Sequence, residues 1–488
     1  MSVNFTGAGM AERKEKTLIG PRVRRLRRTL GITQAQMAED LGVSASYINL
    51  IEANQRPISA NLLLTLARVY DFDISDVGGA GDARLVAELM EVVRDPALEA
   101  GPVGKNDVED IVNANPDIAR AFVHLYDKYR ELALRTYSDN NPLTDREKVE
   151  LLEESARSVE SVRQMLQDHR NYFPELDEAA EAFWGVLGTL HEDPYAAMIQ
   201  RLKGEHGLRV RVVPYDIMPN TLRYYDRHKR GIDLSELLPQ SGRRFQLAFQ
   251  LGMLEFGELI GSYVQKAGFT DRDAIGLARV SLANYFAAAV LMPYHSFLRE
   301  AEKTRYDVQL LSHRFNTSFE QTAHRLTTLQ KPDARGIPFF FMRIDTAGNV
   351  SKRFSAGRFH FSKFGGACPL WNIHECFEAP GRIRTQIIQM PDDTTYFSIG
   401  RTITRTDGFY DKPGPKLAIG LGCDIAYAKR LVYAAEHNLE KAEPTPIGVN
   451  CYLCERQNCA SRAHAPLSRK LVFDERARGI SLYRFQDD

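Results

Sequence analysis

A short run near the start of the chain constrains the fold more than any other feature. Residues 33–44, Thr-Gln-Ala-Gln-Met-Ala-Glu-Asp-Leu-Gly-Val-Ser, have the pattern of a helix, a tight turn and a second helix. Thr33 and Ser44 are of the type that caps a helix N-terminus, and Gly42 permits the turn between the helices. Apolar residues that recur at helical spacing would lock the two helices together, namely Ala38, Leu41, Ile48 and Ile51. The pattern predicts an all-α head.

The surface of this head has the chemistry of a DNA-binding module. Small and hydrogen-bonding side chains from Ser44 to Asn49 open the second helix, where they can reach base edges in a major groove. Gln34, at the start of the first helix, can bind a phosphate. Residues 13–28 hold eight basic side chains and one acid, which favours salt-dependent attraction to a DNA backbone. The alternative is a helical bundle whose polar residues are merely solvated.

Residues 31–56 resemble the Cro-type helix-turn-helix of the XRE family, and the likeness extends over about residues 18–76. The resemblance implies that double-stranded DNA is the partner. We also expect a homodimer, or a higher homo-oligomer, that places two recognition helices about one helical turn of DNA apart on a near-palindromic operator. The positions that match the DNA-facing residues of that family are Gln34, Ser44, Ser46, Tyr47, Asn49, Asn54 and Arg56.

Length and charge set the organisation of the remaining chain. With 488 residues the chain is too long for one compact domain. Lys+Arg and Asp+Glu both number 63, so the positive charge at the start is local and the whole chain is not a polybasic coat for nucleic acid. It has neither an apolar leader nor an uninterrupted apolar run of membrane-spanning length, so we expect a cytoplasmic protein with no membrane partner.

The expected fold class is α+β multidomain. Four regions are predicted: the helix-turn-helix head at 1–78, a helical connector or dimerisation arm at 79–165, a degenerate zincin-like α+β domain at 166–330, and a small-stranded, cysteine-rich C-terminal domain at 331–488. In the connector, apolar residues recur at helical spacing among charged ones: Ile118, Ala121, Phe122, Leu125, Tyr126, Tyr129 and Leu132.

Two segments of the third region resemble the ImmA/IrrE zinc peptidases. Residues 245–253 are similar to the helix that carries the His-Glu-x-x-His motif, and residues 283–293 to the helix that follows it. A zinc hydrolase needs about three protein ligands and a carboxylate base. The corresponding positions hold no such groups, because they are Phe249, Gln250, Met253 and Val280. We therefore expect a non-enzyme whose emptied cleft binds a small ligand. The alternatives are two plain core helices or a regulatory metallopeptidase.

Cysteines gather near the end of the chain. Cys451, Cys454 and Cys459 have the spacing C-x2-C-x4-C, and Cys423 follows a Gly-Leu-Gly sequence that is typical of a turn. Four thiolates together indicate a structural zinc site or an iron–sulfur cluster, since disulfides are uncommon in the cytoplasm. The fourth ligand has two alternatives, Cys368 and His464. Cys376 is expected to be a spare cysteine, and a set of free buried cysteines remains the simplest alternative.

The order of these parts resembles the short-chain fatty acyl transcriptional regulator family over nearly the whole chain. The resemblance implies regulation of propionate- or acetate-type metabolism by CoA or a short-chain acyl-CoA that binds the third region. It also implies a [4Fe-4S] cluster in some members, although the departure at His464 and Ala465 keeps zinc open. A redox- or iron-sensing transcription factor is a further alternative. An arginine beside aromatic rings, such as Arg170 near Tyr172, can hold phosphate and adenine. The resemblance implies that Arg170, Arg201 and Phe249 contact CoA, and Tyr172 is expected to join them.

Overall fold

The chain divides into two compact units, Met1–Ala133 and Leu134–Asp488. The first unit contains the predicted head and most of the predicted connector, and the second contains the rest. The computed structural model describes residues 20–53, 55–70, 80–93, 98, 103–138, 158–191, 193–361, 367–404, 414–466, 469–473, 476, 478–481 and 483–485. The basic residues before position 20 and Asn54, both assigned to DNA binding above, lie outside these ranges.

The first unit begins with the predicted helix-turn-helix. Its helices are α1 (Gly20–Thr29), α2 (Gln34–Asp40), α3 (Ala45–Glu52) and α4 (Ala60–Tyr70). The Oγ1 atom of Thr33 accepts a hydrogen bond from the Gln36 amide at 3.2 Å, and the Ser44 Oγ accepts one from the Tyr47 amide at 3.1 Å. Gly42 takes the left-handed φ of 66° at the turn. Both predicted caps and the predicted turn are confirmed.

The predicted apolar lock also forms. Its four members are buried, and burial of each large aliphatic side chain contributes about 1.5–3 kcal/mol. The core of the head consists of Val23, Met37, Ala38, Leu41, Ile48, Ile51, Ile58, Leu62 and Leu66. The head thus has its own core.

Three more helices complete the first unit: α5 (Ala80–Val93), α6 (Lys105–Ala114) and α7 (Pro116–Ser138). Asn115 caps α7, since its side chain accepts a hydrogen bond from the Ile118 amide at 3.3 Å, and Pro116 takes the first helical position. The three helices share a second apolar core, which contains Leu85, Leu89, Val108, Val112, Ala119, Val123 and Tyr126.

The second unit opens with helices around a small mixed sheet. The helices are α8 (158–168), α9 (Pro174–Leu190), α10 (Pro194–Gly204), α11 (Gln240–Glu255), α12 (Gly257–Lys266), α13 (Arg272–Leu291), α14 (Tyr294–Lys303), α15 (Val308–Arg314) and α16 (Phe319–Leu326). The strands are β1 (Arg209–Val213), β2 (Arg223–Asp226) and β3 (Gly231–Ser235), in the order β1-β3-β2, with β1 parallel and β2 antiparallel to β3.

The peptidase-like helices α11 and α13 form the centre of this half. The Phe286 ring lies against Gly252, where an added Cβ would come within 2.7 Å of the ring, so the glycine permits the close helix approach. By length and composition alone α13 passes as a membrane-spanning helix, but 61% of that window is buried inside the unit. It is therefore a core helix. The backbone breaks at Phe256, between α11 and α12.

The C-terminal half of the second unit is built on a six-stranded sheet. Its strands are β4 (Phe340–Asp345), β5 (Val350–Ser355), β6 (Arg384–Gln389), β7 (Thr395–Thr404), β8 (Lys416–Asp424) and β9 (Thr445–Pro446). Their order is β5-β4-β8-β7-β6-β9, with only β6 and β9 parallel among the described pairs. A short helix, α17 (Asn372–Glu375), packs on β6, β7 and β8.

A buried ion pair joins three helices of the second unit. The guanidinium of Arg325 on α16 donates to the carboxylate of Asp177 on α9, with an N–O distance of 2.5 Å, and both side chains are almost fully buried. Tyr285 on α13 donates its hydroxyl to the same carboxylate. Burial raises the pKa of Tyr285 well above its usual value, so the hydroxyl keeps its proton. Arg325 also donates to the carbonyl oxygen of Met292 at 3.1 Å.

We predict that Arg325→Met lowers the free energy of unfolding of the second unit by about 3–5 kcal/mol, because Asp177 then becomes a buried, unpaired charge. The matched control is Arg211→Met, which removes an exposed Arg–Asp pair with an N–O distance of 2.9 Å. It should cost under about 1 kcal/mol. Chemical denaturation measures both, and equal losses would show that the buried pair is not a structural requirement.

Candidate functional site

The recognition helix α3 presents the predicted polar residues to solvent. Ser44, Ser46 and Asn49 are exposed, whereas Ile48 and Ile51 on the other side of the helix are buried in the head. Short hydrogen-bonding side chains at a helix N-terminus match the geometry with which such helices read base edges.

Tyr47 and Arg56 form a second part of the same surface. The Arg56 guanidinium lies 4.9 Å from the centroid of the Tyr47 ring, which is half-buried, and Arg56 itself is exposed. This cation–π contact orients a positive charge beside α3. A guanidinium in this place suits a backbone phosphate.

A buried carboxylate supports the recognition surface, and the sequence analysis did not identify it. Both oxygens of Glu52 accept hydrogen bonds from Arg27, at 2.6 and 3.1 Å, and one accepts a further bond from Gln34 at 2.7 Å. Burial alone would raise the pKa of Glu52, but these bonds and the charge of Arg27 outweigh it, so the pKa lies below its usual value. Gln34 also bonds Asn49 at 3.4 Å. Glu52 lies four residues after Ile48 and therefore on the same, buried face of α3. That spacing is the feature of the sequence from which its burial could be predicted.

The vacated peptidase centre contains an arginine instead of a metal ligand set. The guanidinium of Arg223 on β2 lies 4.2 Å from the centroid of the Phe249 ring and donates to Gln250 Oε1 at 3.1 Å. Burial lowers the pKa of Arg223 to about 10, and no carboxylate of the described residues pairs with it. Of the other two positions, Met253 is half-buried and Val280 is exposed. None of the four residues at these positions can ligate zinc usefully or act as a general base.

A separate cavity of about 90 Å³ lies between the two halves of the second unit. That volume is larger than a single buried water requires. At its base Asn171 is 4% exposed, and its side-chain Nδ2 is buried with no hydrogen-bond partner among the described residues. Burial lowers the pKa of His324 to about 3, so the imidazole that this residue contributes to the cavity wall is uncharged. The lining consists of Leu166, Asn171, Phe173, Ser281, Asn284, Tyr285, His324, Thr328, Lys352 and Phe354.

Two of the four expected CoA contacts flank the cavity residue Asn171 in the chain. Arg170 is half-buried and, like Asn171, has a left-handed backbone, with φ of 51° and 56°. Tyr172 is buried against Tyr294, with ring centroids 5.7 Å apart. Burial raises the pKa of Tyr172 above its usual range, so its hydroxyl remains a donor. Two consecutive non-glycine residues thus take the left-handed region at this turn, as Arg305 and Tyr306 also do.

The other two expected contacts have internal partners instead. Arg201 donates to both oxygens of Glu255, at 2.7 to 3.0 Å, and its guanidinium lies over the Phe183 ring. The Phe249 ring is buried and one face is covered by Arg223. Neither residue lines the cavity at Asn171, and their roles as CoA contacts stay predictions.

The structure also corrects the predicted position of Cys423. Residues 420–423 form part of strand β8, not a turn. Position 422 requires a glycine because the Phe340 ring packs directly on it. An added Cβ would lie 2.3 Å from the ring. The Cys423 side chain points to the opposite face of the sheet, into the core that contains Ile419 and Leu421, and burial raises the pKa of its thiol well above the usual value.

Cys368, one of the two alternative fourth ligands, lies beside the cysteine segment. It lies on the α17 face of the sheet, where burial raises the pKa of its thiol and the neighbouring thiols of Cys454 and Cys451 raise it further. Gly448, next to Cys454, completes this corner, since an added Cβ would be 2.8 Å from the Cys454 Sγ. In the part of the chain that the structure describes, no three His, Cys, Asp or Glu side chains are gathered at metal-binding distance.

The cysteine segment is held by an arginine that the sequence analysis passed over. Arg462 is 5% exposed and donates to the carbonyl oxygens of Cys451 at 3.1 Å, Cys454 at 2.9 Å and Arg456 at 2.8 Å. The His464 ring stacks on Tyr452, with centroids 4.3 Å apart. These bonds fold the backbone of the segment around one side chain.

Three family descriptions match successive parts of the chain. A helix-turn-helix family matches residues 23–77, an IrrE N-terminal-like domain matches 203–327, and the C-terminal domain of short-chain fatty acyl coenzyme A regulators matches 328–483. The α+β multidomain expectation and the family resemblance found in the sequence are confirmed.

Curated relatives match over almost their full length. The transcriptional regulator RamB of Mycobacterium tuberculosis is 40% identical over 96% of this chain and 98% of its own. The propionyl-CoA carboxylase regulator of Cereibacter sphaeroides is 37% identical, over 97% and 100%. A solved Mycobacterium tuberculosis transcriptional regulator is 39% identical, with a TM-score of 0.64, and covers 67% of this chain and 99% of its own. These are regulators, which confirms the expectation that this chain is not an enzyme.

We predict that Asn49→Ala weakens binding to a specific operator by about 1–3 kcal/mol, because one side chain that can contact base edges is lost from the exposed face of α3. Gln36→Ala is unsuitable as a control because Gln36 belongs to the cap of α2; Glu39→Ala changes an exposed residue on α2 and should have a smaller effect on specificity. Footprinting and binding isotherms measure both. Unchanged operator affinity in Asn49→Ala would place base recognition elsewhere.

Proposed function

Because the chain belongs to the family of short-chain fatty acyl coenzyme A regulators, we propose that CoA or a short-chain acyl-CoA controls its affinity for a double-stranded DNA operator. The chain is a helix-turn-helix regulator of short-chain acyl metabolism. The observation that carries the proposed effector control is the cavity at Asn171, which holds a buried amide donor with no protein acceptor in the described structure.

The cavity has the donors and the apolar surface that an acyl thioester needs. In our proposal Asn171 Nδ2 donates to the ligand carbonyl, which removes the cost of an unsatisfied buried donor. The acyl chain lies against Leu166, Phe173 and Phe354, and the small volume favours short chains. Arg170, next to Asn171 and partly exposed, supplies a cation for a CoA phosphate.

The binding is proposed to be non-catalytic. The positions of the peptidase ligands hold Phe249, Gln250, Met253 and Val280, and the nearest cation there is Arg223. A side-chain amide such as Gln250 cannot act as a general base, and none of the four residues offers a coordinating nitrogen, thiolate or carboxylate oxygen. The ligand would therefore leave unchanged, as a regulatory effector must.

The position of the cavity supports a regulatory role. Ser281 and Tyr285 come from the IrrE-like half, whereas Lys352 and Phe354 come from the C-terminal half. A ligand in this place contacts both halves, so its binding free energy depends on how they are arranged. This dependence is what couples an effector to a conformational equilibrium.

We further propose that Cys368, Cys451, Cys454 and Cys459 hold one structural metal centre, either a [4Fe-4S] cluster or zinc. The chemistry of the donor set suits either group, since all four are free thiols and those of Cys454 and Cys451 lie near enough to Cys368 to raise the pKa of its thiol. When bound, the metal group would cross-link the segment that carries Cys451, Cys454 and Cys459 to Cys368, and it would have no open coordination position. Arg462 orients the backbone that carries two of the ligands. The protein is proposed to act in the cytoplasm as a homodimer.

The cavity is tested by Asn171→Asp, which keeps the size and the tolerance for a left-handed backbone but replaces the donor by an acceptor. We expect calorimetry with propionyl-CoA to show at least ~10-fold weaker binding, because the hydrogen bond from the Asn171 amide to the ligand carbonyl, worth about 1.4 kcal/mol, is lost. The matched control is Asn220→Asp, at an exposed asparagine with φ of 59°. Equal affinities in the variant, the control and the wild type would remove Asn171 from the ligand site.

The metal centre is tested by a pair of cysteine variants of the full chain. We expect Cys368→Ser to lower the metal content and the melting temperature together, because metal binding contributes folding free energy. Cys423→Ser should keep the metal, since Cys423 lies on the other face of the sheet. Metal analysis and visible absorbance measure the outcome, and iron with sulfide distinguishes a cluster from zinc. Loss of metal in Cys423→Ser but not in Cys368→Ser would restore the sequence-based ligand set.

A further inference from the structure

Helix α7 in the first unit carries a row of large apolar side chains that face solvent. Ile118 is 62% exposed, Phe122 40%, Leu125 64% and Tyr129 49%. Soluble proteins seldom leave such side chains exposed in a continuous row, although single ones are common. The four residues, called here the α7 stripe, therefore mark a surface with a function.

The spacing within the α7 stripe is regular. Successive members are four, three and four residues apart, which is the a/d spacing of a coiled coil. The stripe is separate from the face of α7 that belongs to the core of the unit, because Ala119, Val123 and Tyr126 are buried there. One helix thus has two apolar faces, and only one of them is used within the described part of the unit.

The side of α7 away from the stripe is polar. Arg120, His124 and Lys128 are exposed there, and Arg120 pairs with Asp117 at 3.0 Å. A narrow apolar row on a helix whose other exposed side is charged is typical of a helix–helix seam rather than of a lipid-binding face, which is wider.

We infer that the α7 stripe is the seam through which two copies of this chain dimerise. An a/d row is self-complementary, so a two-fold axis can pack α7 against α7 and bury eight large apolar side chains with no other partner. The stripe belongs to the same compact unit as the DNA-binding head. A dimer made there joins two recognition helices directly, which a two-fold operator requires. This inference rests on the proposed homodimer and specifies its interface.

The test introduces a charge into the seam of the full-length protein. Leu125→Lys should raise the dissociation constant of the dimer at least ~100-fold in sedimentation equilibrium, because an apolar contact is lost and two like charges face each other. Ile118→Lys, one heptad earlier, should act in the same way. The matched control is His124→Lys, which adds the same side chain at the neighbouring exposed position outside the stripe. It should leave the dimer intact.

Circular dichroism on each variant distinguishes a lost interface from a lost helix, and a variant with reduced helicity is replaced by Leu125→Gln. A monomeric wild type at tens of micromolar, or a dimer that persists in both Leu125→Lys and Ile118→Lys, would overturn the inference. Calorimetry with propionyl-CoA separates this result from failure of the proposed effector site, since the monomeric variants should keep the wild-type affinity for the ligand.

Discussion

The buried pair of Asp177 and Arg325 is the interaction on which the helical half of the second unit depends. It connects α9, α13 and α16, and its third member, Tyr285, accepts a hydrogen bond from the Phe173 amide at 3.1 Å. That bond fixes the end of the turn that carries Asn171 and Phe173, both of which line the cavity. Because the pair is costly when either partner is missing, it specifies one arrangement of these elements.

The loss of the peptidase centre did not leave an empty hole. An aromatic ring and an amide stand where a histidine and a glutamate would ligate metal and act as base, and Arg223 contacts both of them. The Phe249 ring and the Arg223 guanidinium thus occupy the space in which zinc would need an open coordination position. The cavity proposed for the ligand is located elsewhere, on the side of α13 that faces the C-terminal sheet. The fold thus retains the architecture of a peptidase without its metal centre.

The sequence predicted local features well and features that depend on distant contacts poorly. Thr33, Gly42 and Ser44 act on neighbouring backbone atoms, so their roles follow from the sequence around them. Gly422 was interpreted as a turn residue. The glycine is required instead by the ring of Phe340, which packs on it and is far away in the chain.

The ligand-site residues show the same limit. Arg201 was expected to bind phosphate, and Glu255, which neutralises it, lies 54 positions later in the chain. Asn171 has no sequence signal of its own, since only the fold shows that its amide is buried without a partner. Cys423 was placed at a turn, whereas strand alternation in β8 directs its side chain to the face of the sheet opposite Cys368.

Coupling between effector and DNA is the central claim, and thermodynamic linkage gives it a direct test. The full-length protein is titrated onto a duplex operator, selected from random sequence, with and without saturating propionyl-CoA. We expect the operator dissociation constant to change at least ~5-fold, and the affinity for propionyl-CoA to change by the same factor when operator is present, because coupling is reciprocal. In Asn171→Asp the change should shrink. An operator affinity that is the same with and without acyl-CoA, in a protein that binds acyl-CoA, would contradict the account.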